Sequence, residues 1–269
     1  MKTANINSKK FTLITGASSG IGLAMAAECA KRGYNLLMAS LPDKTLIRAA
    51  RYFENKYGIT AHVLEVDLTE KNGPQRVKAF TEKHHLKVNF LINNAGIGIE
   101  GLVGKYTQES IDTMIFLNIR ALTSLTNLFL DELKSQDSAF ILNVSSFASY
   151  IPIAYKSIYV ASKSYVFFFT QSLSSELEGT KIKVSSLLPG GVRTNKVVCE
   201  RINRDGFFSH ISSMKPEEVA RQAIKKIHIG RQVIVPGKIN NFIYAVFSFL
   251  PYFICKNILK QVFLKSVKA

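Results

Sequence analysis

Along this 269-residue chain, short and mostly continuous apolar runs alternate with longer segments whose apolar positions recur at helical spacing. The runs at 11–15 (FTLIT), 35–39 (NLLMA), 61–66 (AHVLEV), 88–92, 139–144 (AFILNV), 182–188 and 232–235 (QVIV) predict seven strands. Strands that are apolar at nearly every position, rather than at every second one, bury both faces. The segments 20–32, 43–57, 69–83, 107–134, 157–178 and 216–228 predict the helices between them. Alternation of this kind gives the α/β class, a doubly wound parallel sheet with helices on both faces. No Pro/Gly/Ser-rich linker or internal repeat divides the chain, so residues 1–237 read as one domain and 238–269 as a C-terminal tail.

A doubly wound sheet binds ligands at the carboxyl ends of its strands, and the chemically distinctive residues fall there. TGASSGIG (Thr15 to Gly22) follows the first strand, Asp67 the third, NNAG (Asn93 to Gly96) the fourth, Ser146 the fifth and PGGVRT (Pro189 to Thr194) the sixth. In the first of these, Gly16 permits a tight turn, Gly20 lets the backbone approach a pyrophosphate, and Gly22 lets the next helix start close to the strand. Free N–H groups at that helix start then face the anion. Tyr159 and Lys163 lie one helical turn apart in IYVASK, and Ser146 precedes Tyr159 by thirteen residues. Tyr-x-x-x-Lys occurs three times, at Tyr52–Lys56, Tyr159–Lys163 and Tyr252–Lys256. Only the middle pair has a Ser at a strand end upstream and a nucleotide loop further back, and that context selects it.

With these motifs in this order, and with Asn118 in FLNIRALT between them, residues from about Phe11 to Gly237 resemble the short-chain dehydrogenase/reductase family in its compact, single-domain branch. The resemblance implies a Rossmann fold and hydride transfer between a nicotinamide and a carbonyl or secondary alcohol. Tyr159 would be the general acid/base. A free Tyr has a pKa of about 10, so bringing it to neutrality takes roughly 4 kcal/mol in favour of the phenolate; Lys163, on the same helix face, and the oxidised nicotinamide would supply it. Ser146 would hold the substrate oxygen, with Ser145 as its neighbouring rival, and Asn118 would hold a water linking Lys163 to solvent. The cofactor would lie on Gly16, Ser18, Ser19, Gly20, Ile21 and Gly22. Asp67 and Leu68 would border the adenine, and Asn94, Ala95 and Gly96 the ribose. Pro189, Gly190, Val192 and Thr194 would line the nicotinamide end, while Lys163 would also hold the ribose hydroxyls. A second reading of Asp67 is a cap for the segment beginning at Thr69.

Two departures from the family pattern bear on specificity. An acidic residue after the second strand would bind the ribose 2′-hydroxyl of NAD; here Ser40 stands in that place, and Lys44 and Arg48 are the nearest cations, which favours NADP over NAD. Ser149 stands where relatives often carry Gly. A catalytically silent binding protein on the same fold is the alternative, but it would predict a damaged tetrad, and Asn118, Ser146, Tyr159 and Lys163 are all present.

Composition adds limits. Three widely spaced Cys (Cys29, Cys199, Cys255) argue against a disulfide frame or zinc site and for a reducing, cytoplasmic setting. Five His show no ligand spacing, so no metal is expected. The formal net charge of +16 fits a basic face for anionic lipid, one for nucleic acid, or a generally Lys-rich composition; no nucleic-acid motif accompanies it, and no nucleic-acid partner is expected. The resemblance implies a homodimer or homotetramer. The loop 195–214 offers Val197, Val198, Phe207, Phe208 and Ile211 beside Arg201, Arg204 and His210, which suggests a small-molecule substrate with an apolar body. In the tail, the apolar run Phe242 to Cys255 is too short to span a bilayer. Beyond Pro251, Phe253, Ile254, Ile258, Leu259, Val262 and Phe263 follow helical spacing among lysines. Such side chains must cover the protein's own cleft, a partner subunit or a membrane surface.

Overall fold

The computed structural model describes residues 10–150, 152–195, 198–200 and 212–249. Seven strands form one all-parallel sheet: β1 (Lys10–Thr15), β2 (Asn35–Ser40), β3 (Ala61–Glu65), β4 (Lys87–Asn93), β5 (Ala139–Val144), β6 (Ile182–Leu187) and β7 (Val233–Ile234). Their order is β3-β2-β1-β4-β5-β6-β7, so the winding reverses between β1 and β4. That reversal leaves a crevice beyond the carboxyl ends of those two strands, where a doubly wound sheet takes its ligand.

Among the described residues the principal α-helices are α1 (Gly20–Lys31), α2 (Lys44–Tyr57), α3 (Gly73–Lys83), α4 (Gln108–Ile115), α5 (Leu122–Lys134), α6 (Ser157–Glu176), α7 (Pro216–His228) and α8 (Lys238–Phe249). Successive strand residues feed opposite layers, as the two-residue period requires. Ile14, Met38 and Ile92 join Met25, Leu46 and Ile224 on one face; Leu13, Leu37 and Leu91 join Val77, Leu125 and Phe129 on the other. Every residue of β2 and β5 is buried, which is why these strands are legible as mostly apolar runs rather than alternating ones.

Two expected helices differ in detail. The segment expected to start at Thr69 becomes helical only at Gly73, with Pro74 in its first turn, because Asp67 bonds Thr69 through both N–H (2.8 Å) and hydroxyl (2.7 Å) and holds a turn there. Proline at a helix start is compatible with its missing N–H. The single helix expected over 107–134 contains one π-helical stretch, Phe116–Ala121, between α4 and α5. The remaining expected elements fall within a few residues of expectation, and α8 is a helix not among those expected. Most of the loop with Val197, Arg201, Arg204, Phe207, Phe208, His210 and Ile211, and the tail from Leu250 with the Tyr252–Lys256 pair and Phe253 to Phe263, lie outside the described residues.

Candidate active site

The loop from β1 to α1 is built for close approach. Gly16 adopts φ +65°, and a Cβ on Gly22 would sit 2.1 Å from the Gly16 carbonyl oxygen, so neither position tolerates a side chain. Gly20 lies against Thr194, whose Cγ2 a Cβ would meet at 3.0 Å, which brings the β6 loop across the start of α1. Ser19 caps α1 without a side-chain bond, and its first turn has no acidic residue. The first N–H groups of α1 are thus offered to an anion, and the donor set fits a pyrophosphate.

The floor beside this loop is held by a residue that sequence reasoning missed. Thr15 Oγ1 accepts from the backbone N–H groups of Asn94 and Ala95 (both 3.0 Å), and the Asn94 amide donates to the carbonyls of Thr15 (2.9 Å) and Gly16 (3.2 Å). Asn93 continues the seam inward, donating to Asn143 Oδ1 (2.9 Å) and Thr126 Oγ1 (3.1 Å), while Asn143 donates to Thr170 Oγ1 (3.0 Å). These bonds fix β4 and β5 to α5 and α6, and the amide nitrogens of Asn93 and Asn143 are both satisfied within the seam. At the end of β2, Ser40 donates to Ser18 Oγ at 3.0 Å and closes onto the phosphate loop. Asp43 spends its carboxylate on the Thr45 N–H (2.7 Å), which holds its pKa below the usual carboxylate value, and Lys44 and Arg48 are exposed on α2. Arg120 donates to the carbonyls of Thr69 and Glu70 and braces the turn that carries Asp67 and Leu68.

Three of the four expected catalytic side chains, Asn118, Lys163 and Tyr159, come together around the strip Gly96–Gly98, and Ser146 follows the end of β5. A Cβ on Gly96 would lie 3.0 Å from both Asn118 Oδ1 and Lys163 Nζ, and one on Gly98 would lie 3.0 Å from the Tyr159 ring. Tyr159 and Lys163 share one face of α6, as residues four apart must. The end of β5 is stitched to the same helix. Lys163 Nζ donates to the Val144 carbonyl at 2.9 Å, and Ser145 Oγ donates to the Lys163 carbonyl at 2.7 Å. Ser145 is therefore committed to holding α6. Ser146, next along, accepts from the Ala148 N–H at 3.1 Å, and its O–H proton is left to donate. Burial pushes the Lys163 ammonium down to about 8.

Asn118 sits in the π-helical stretch and is 1% exposed. Its side chain accepts from the Ile97 N–H (2.9 Å) and donates to the Ile97 carbonyl (2.9 Å) and to Ser162 Oγ (3.0 Å). The side chain thus pins the strip to α6. Single π-turns inside α-helices concentrate at functional sites. The strip continues into a loop tied to the segment before α6: Gly101 N–H donates to the Tyr155 carbonyl (2.8 Å), Glu100 pairs with Lys156 (2.8 Å), and Tyr155 has φ +64°. Leu102, Val103 and Tyr155 are exposed on these two loops.

On the far side, Pro189 accepts from Phe147 N–H (2.9 Å), and Val192 pairs with Met214. Ser149 is buried and donates to the Ser146 carbonyl at 2.6 Å. The tail's first helix reaches this wall. Asn240 would meet a Cβ on Gly190 at 3.0 Å, and Tyr244 and Tyr150 share a 2.9 Å hydroxyl contact.

Comparison with known proteins agrees with this geometry. The family model for short chain dehydrogenase matches residues 10–204. The chain is 31% identical to a very-long-chain 3-oxoacyl-CoA reductase of Anas platyrhynchos over 93% of this chain and 79% of that one. It is 30% identical to an NADP-dependent 3-hydroxy acid dehydrogenase of Schizosaccharomyces pombe over 78% of this chain and 84% of that one. Among solved structures, a short-chain dehydrogenase from Sphingobium yanoikuyae in complex with NADPH superimposes with TM-score 0.75 at 28% identity, covering 90% and 97% of the two chains.

Proposed function

This chain belongs to the short chain dehydrogenase family and is an NAD(P)-dependent oxidoreductase, and we propose that Tyr159, Lys163, Ser146 and Asn118 carry its reaction on a ketone or secondary alcohol. The observation that carries this reading is the convergence of Asn118, Lys163 and Tyr159 on Gly96–Gly98, directly beyond the reversal point of the sheet. The bound nicotinamide supplies or accepts the hydride. All else falls to the protein. Ser146 donates its O–H to the substrate oxygen and fixes the carbonyl. Tyr159 gives its phenolic proton to that oxygen in reduction and takes one back in oxidation. Lys163 lies on the same helix face with its ammonium near neutral poise, so its charge favours the Tyr159 phenolate. Asn118 and Ser145 hold α6 and the strip in place.

The cofactor reading is NADP. Ser40 presents no carboxylate to repel a 2′-phosphate, the Asp43 carboxylate is turned into its own helix, and Lys44 and Arg48 stand exposed beside it. The NADP-dependent relative and the NADPH complex support the same choice. The substrate reading is a ketone with an extended apolar body, supported by the exposed Leu102, Val103 and Tyr155 on the loops flanking Tyr159 and by the 3-oxoacyl-CoA reductase relative.

The test is a panel of ketones and alcohols with NADPH and NADH, followed by nicotinamide absorbance, on the wild type, Tyr159→Phe and Tyr52→Phe. Tyr159→Phe is expected to lower turnover by at least about 10²-fold with cofactor affinity kept, the scale of lost acid–base catalysis. Full activity in Tyr159→Phe would remove the assignment; Tyr52→Phe should match the wild type.

A further inference from the structure

We propose that α8 docks this protein on the surface of an anionic lipid bilayer, through Ile239, Phe242 and Val246. The inference is independent of the catalytic reading, because none of these residues touches the site described above.

The rotation of α8 is fixed from within. Asn240 is 4% exposed and donates to the carbonyls of Ser212 (2.9 Å) and Pro236 (3.2 Å). Tyr244 stacks edge-on against Tyr150 with ring centres 4.9 Å apart. With that face committed to the domain, the opposite face carries Ile239 at 44% exposure, Phe242 at 70% and Val246 at 40%. These positions are three and four residues apart and form one stripe on the helix. Three large apolar side chains aligned on one face mark an interaction surface rather than scattered surface apolarity.

Charge selects the occupant. After Glu218 the sequence contains no Asp or Glu, while Arg221, Lys225, Lys226, Arg231, Lys238, Lys256, Lys260, Lys265 and Lys268 all follow it. Arg221, Lys225, Arg231 and Lys238 are exposed, and α7 lies beside the start of α8: Gln222 accepts from the Gly237 N–H (3.1 Å) and Lys226 donates to the Val235 carbonyl (3.3 Å). A second copy seated on this stripe would bring together two surfaces on which cations outnumber carboxylates, with Arg221, Lys225, Lys226, Arg231 and Lys238 against Glu217 and Glu218. An anionic headgroup layer brings the missing countercharge, and the apolar stripe enters the acyl boundary beneath it. Each cation held near such a surface multiplies partitioning roughly fivefold.

The test uses the full chain and co-sedimentation with vesicles of phosphatidylcholine alone and of phosphatidylcholine with an equal part of phosphatidylserine, at low and high salt. The wild type is expected to sediment with the phosphatidylserine vesicles at low salt and to be released at high salt. Phe242→Asn is expected to lower partitioning roughly tenfold or more with an unchanged melting temperature, since the side chain is already exposed. Lys238→Glu, at another exposed position, is expected to weaken binding about tenfold or more at low salt by reversing a charge, and to converge on the wild type at high salt. Failure of the wild type to bind phosphatidylserine vesicles at low salt overturns the proposal, as does undiminished binding by Phe242→Asn. Sedimentation equilibrium in which Phe242→Asn turns a dimer into a monomer, with no vesicle binding by either protein, assigns the stripe to a second copy and also overturns it.

Discussion

Lys163 is a cation kept in the protein at a cost, and replacing it separates what it does for catalysis from what it does to stability. Burial alone lowers its pKa from 10.5 to about 8. At pH 7 the folded chain therefore holds a charged ammonium that is disfavoured by about 3 kcal/mol relative to the unfolded chain. Lys163→Met removes that cost and leaves the Val144 carbonyl without its donor, a loss of about 1 kcal/mol. The variant is expected to be as stable as the wild type at pH 7, or more stable by up to about 2 kcal/mol, and to lose turnover by at least about 10²-fold. The sign of the pH dependence follows from linkage. Between about pH 8 and 10.5 the unfolded wild type binds a proton that the folded form has released, so wild-type stability rises with pH relative to the variant. Urea unfolding of both proteins, without cofactor, at several pH values from neutrality to about 10 reads this directly. The variant's advantage should shrink as pH rises. A variant at least about 2 kcal/mol less stable than the wild type at pH 7, with a gap that stays constant across this range, would refute the reasoning and make Lys163 a net structural contact.

The adjacent serines should separate in the same way. Ser145→Ala, which cuts the buried 2.7 Å bond to the Lys163 carbonyl, should lower unfolding free energy by about 1 kcal/mol or somewhat more and leave kcat the less affected, whereas Ser146→Ala, which cuts only a longer, part-buried bond from the Ala148 N–H, should cost less stability and lower kcat more; the reverse pattern would exchange their roles. Replacing Lys44 and Arg48 together with Ala should weaken NADPH in a fluorescence titration by about tenfold or more and leave NADH nearly unchanged, and equal losses for both cofactors would remove the 2′-phosphate contact.

Much of this site could be read from the chain because its residues sit at the ends of strands buried on both sides. A run such as AFILNV, apolar but for Asn143, announces its strand, and Ser146 then has a fixed place after it. The thirteen-residue interval to Tyr159 favoured Ser146 over Ser145, and the contacts give the physical reason: Ser145 is spent on the Lys163 carbonyl. What stayed hidden depends on neighbours remote in sequence. Thr15 reads as the last apolar-run residue of β1 until β4 lies beside it and presents the N–H groups of Asn94 and Ala95. FLNIRA contains no Gly or Pro to mark a break, so the π-helical stretch around Asn118 had no local signal. The late start of α3 did have one, in Pro74, but the hydroxyl and carboxyl at Thr69 and Asp67 read equally well as a helix cap. Asn240 and Tyr244 lay in a tail whose apolar pattern announced burial without saying against what.

The π-helical stretch also divides labour along one rod. A fully α-helical segment from Gln108 to Lys134 would present one continuous stripe to the rest of the molecule. One extra residue in the turn at Phe116–Ala121 offsets the two halves by about 100°, the rotation per residue of an α-helix. The half after the turn lays Leu125, Phe129 and Leu133 on the sheet and belongs to the core; the turn itself carries Asn118 to the strip and Arg120 to the Asp67 turn. Selection on packing and selection on chemistry therefore act on different stretches of the same helix. Core substitutions in α5 can accumulate without re-aiming Asn118, and the reactive end can be retuned without unseating the rod that supports it.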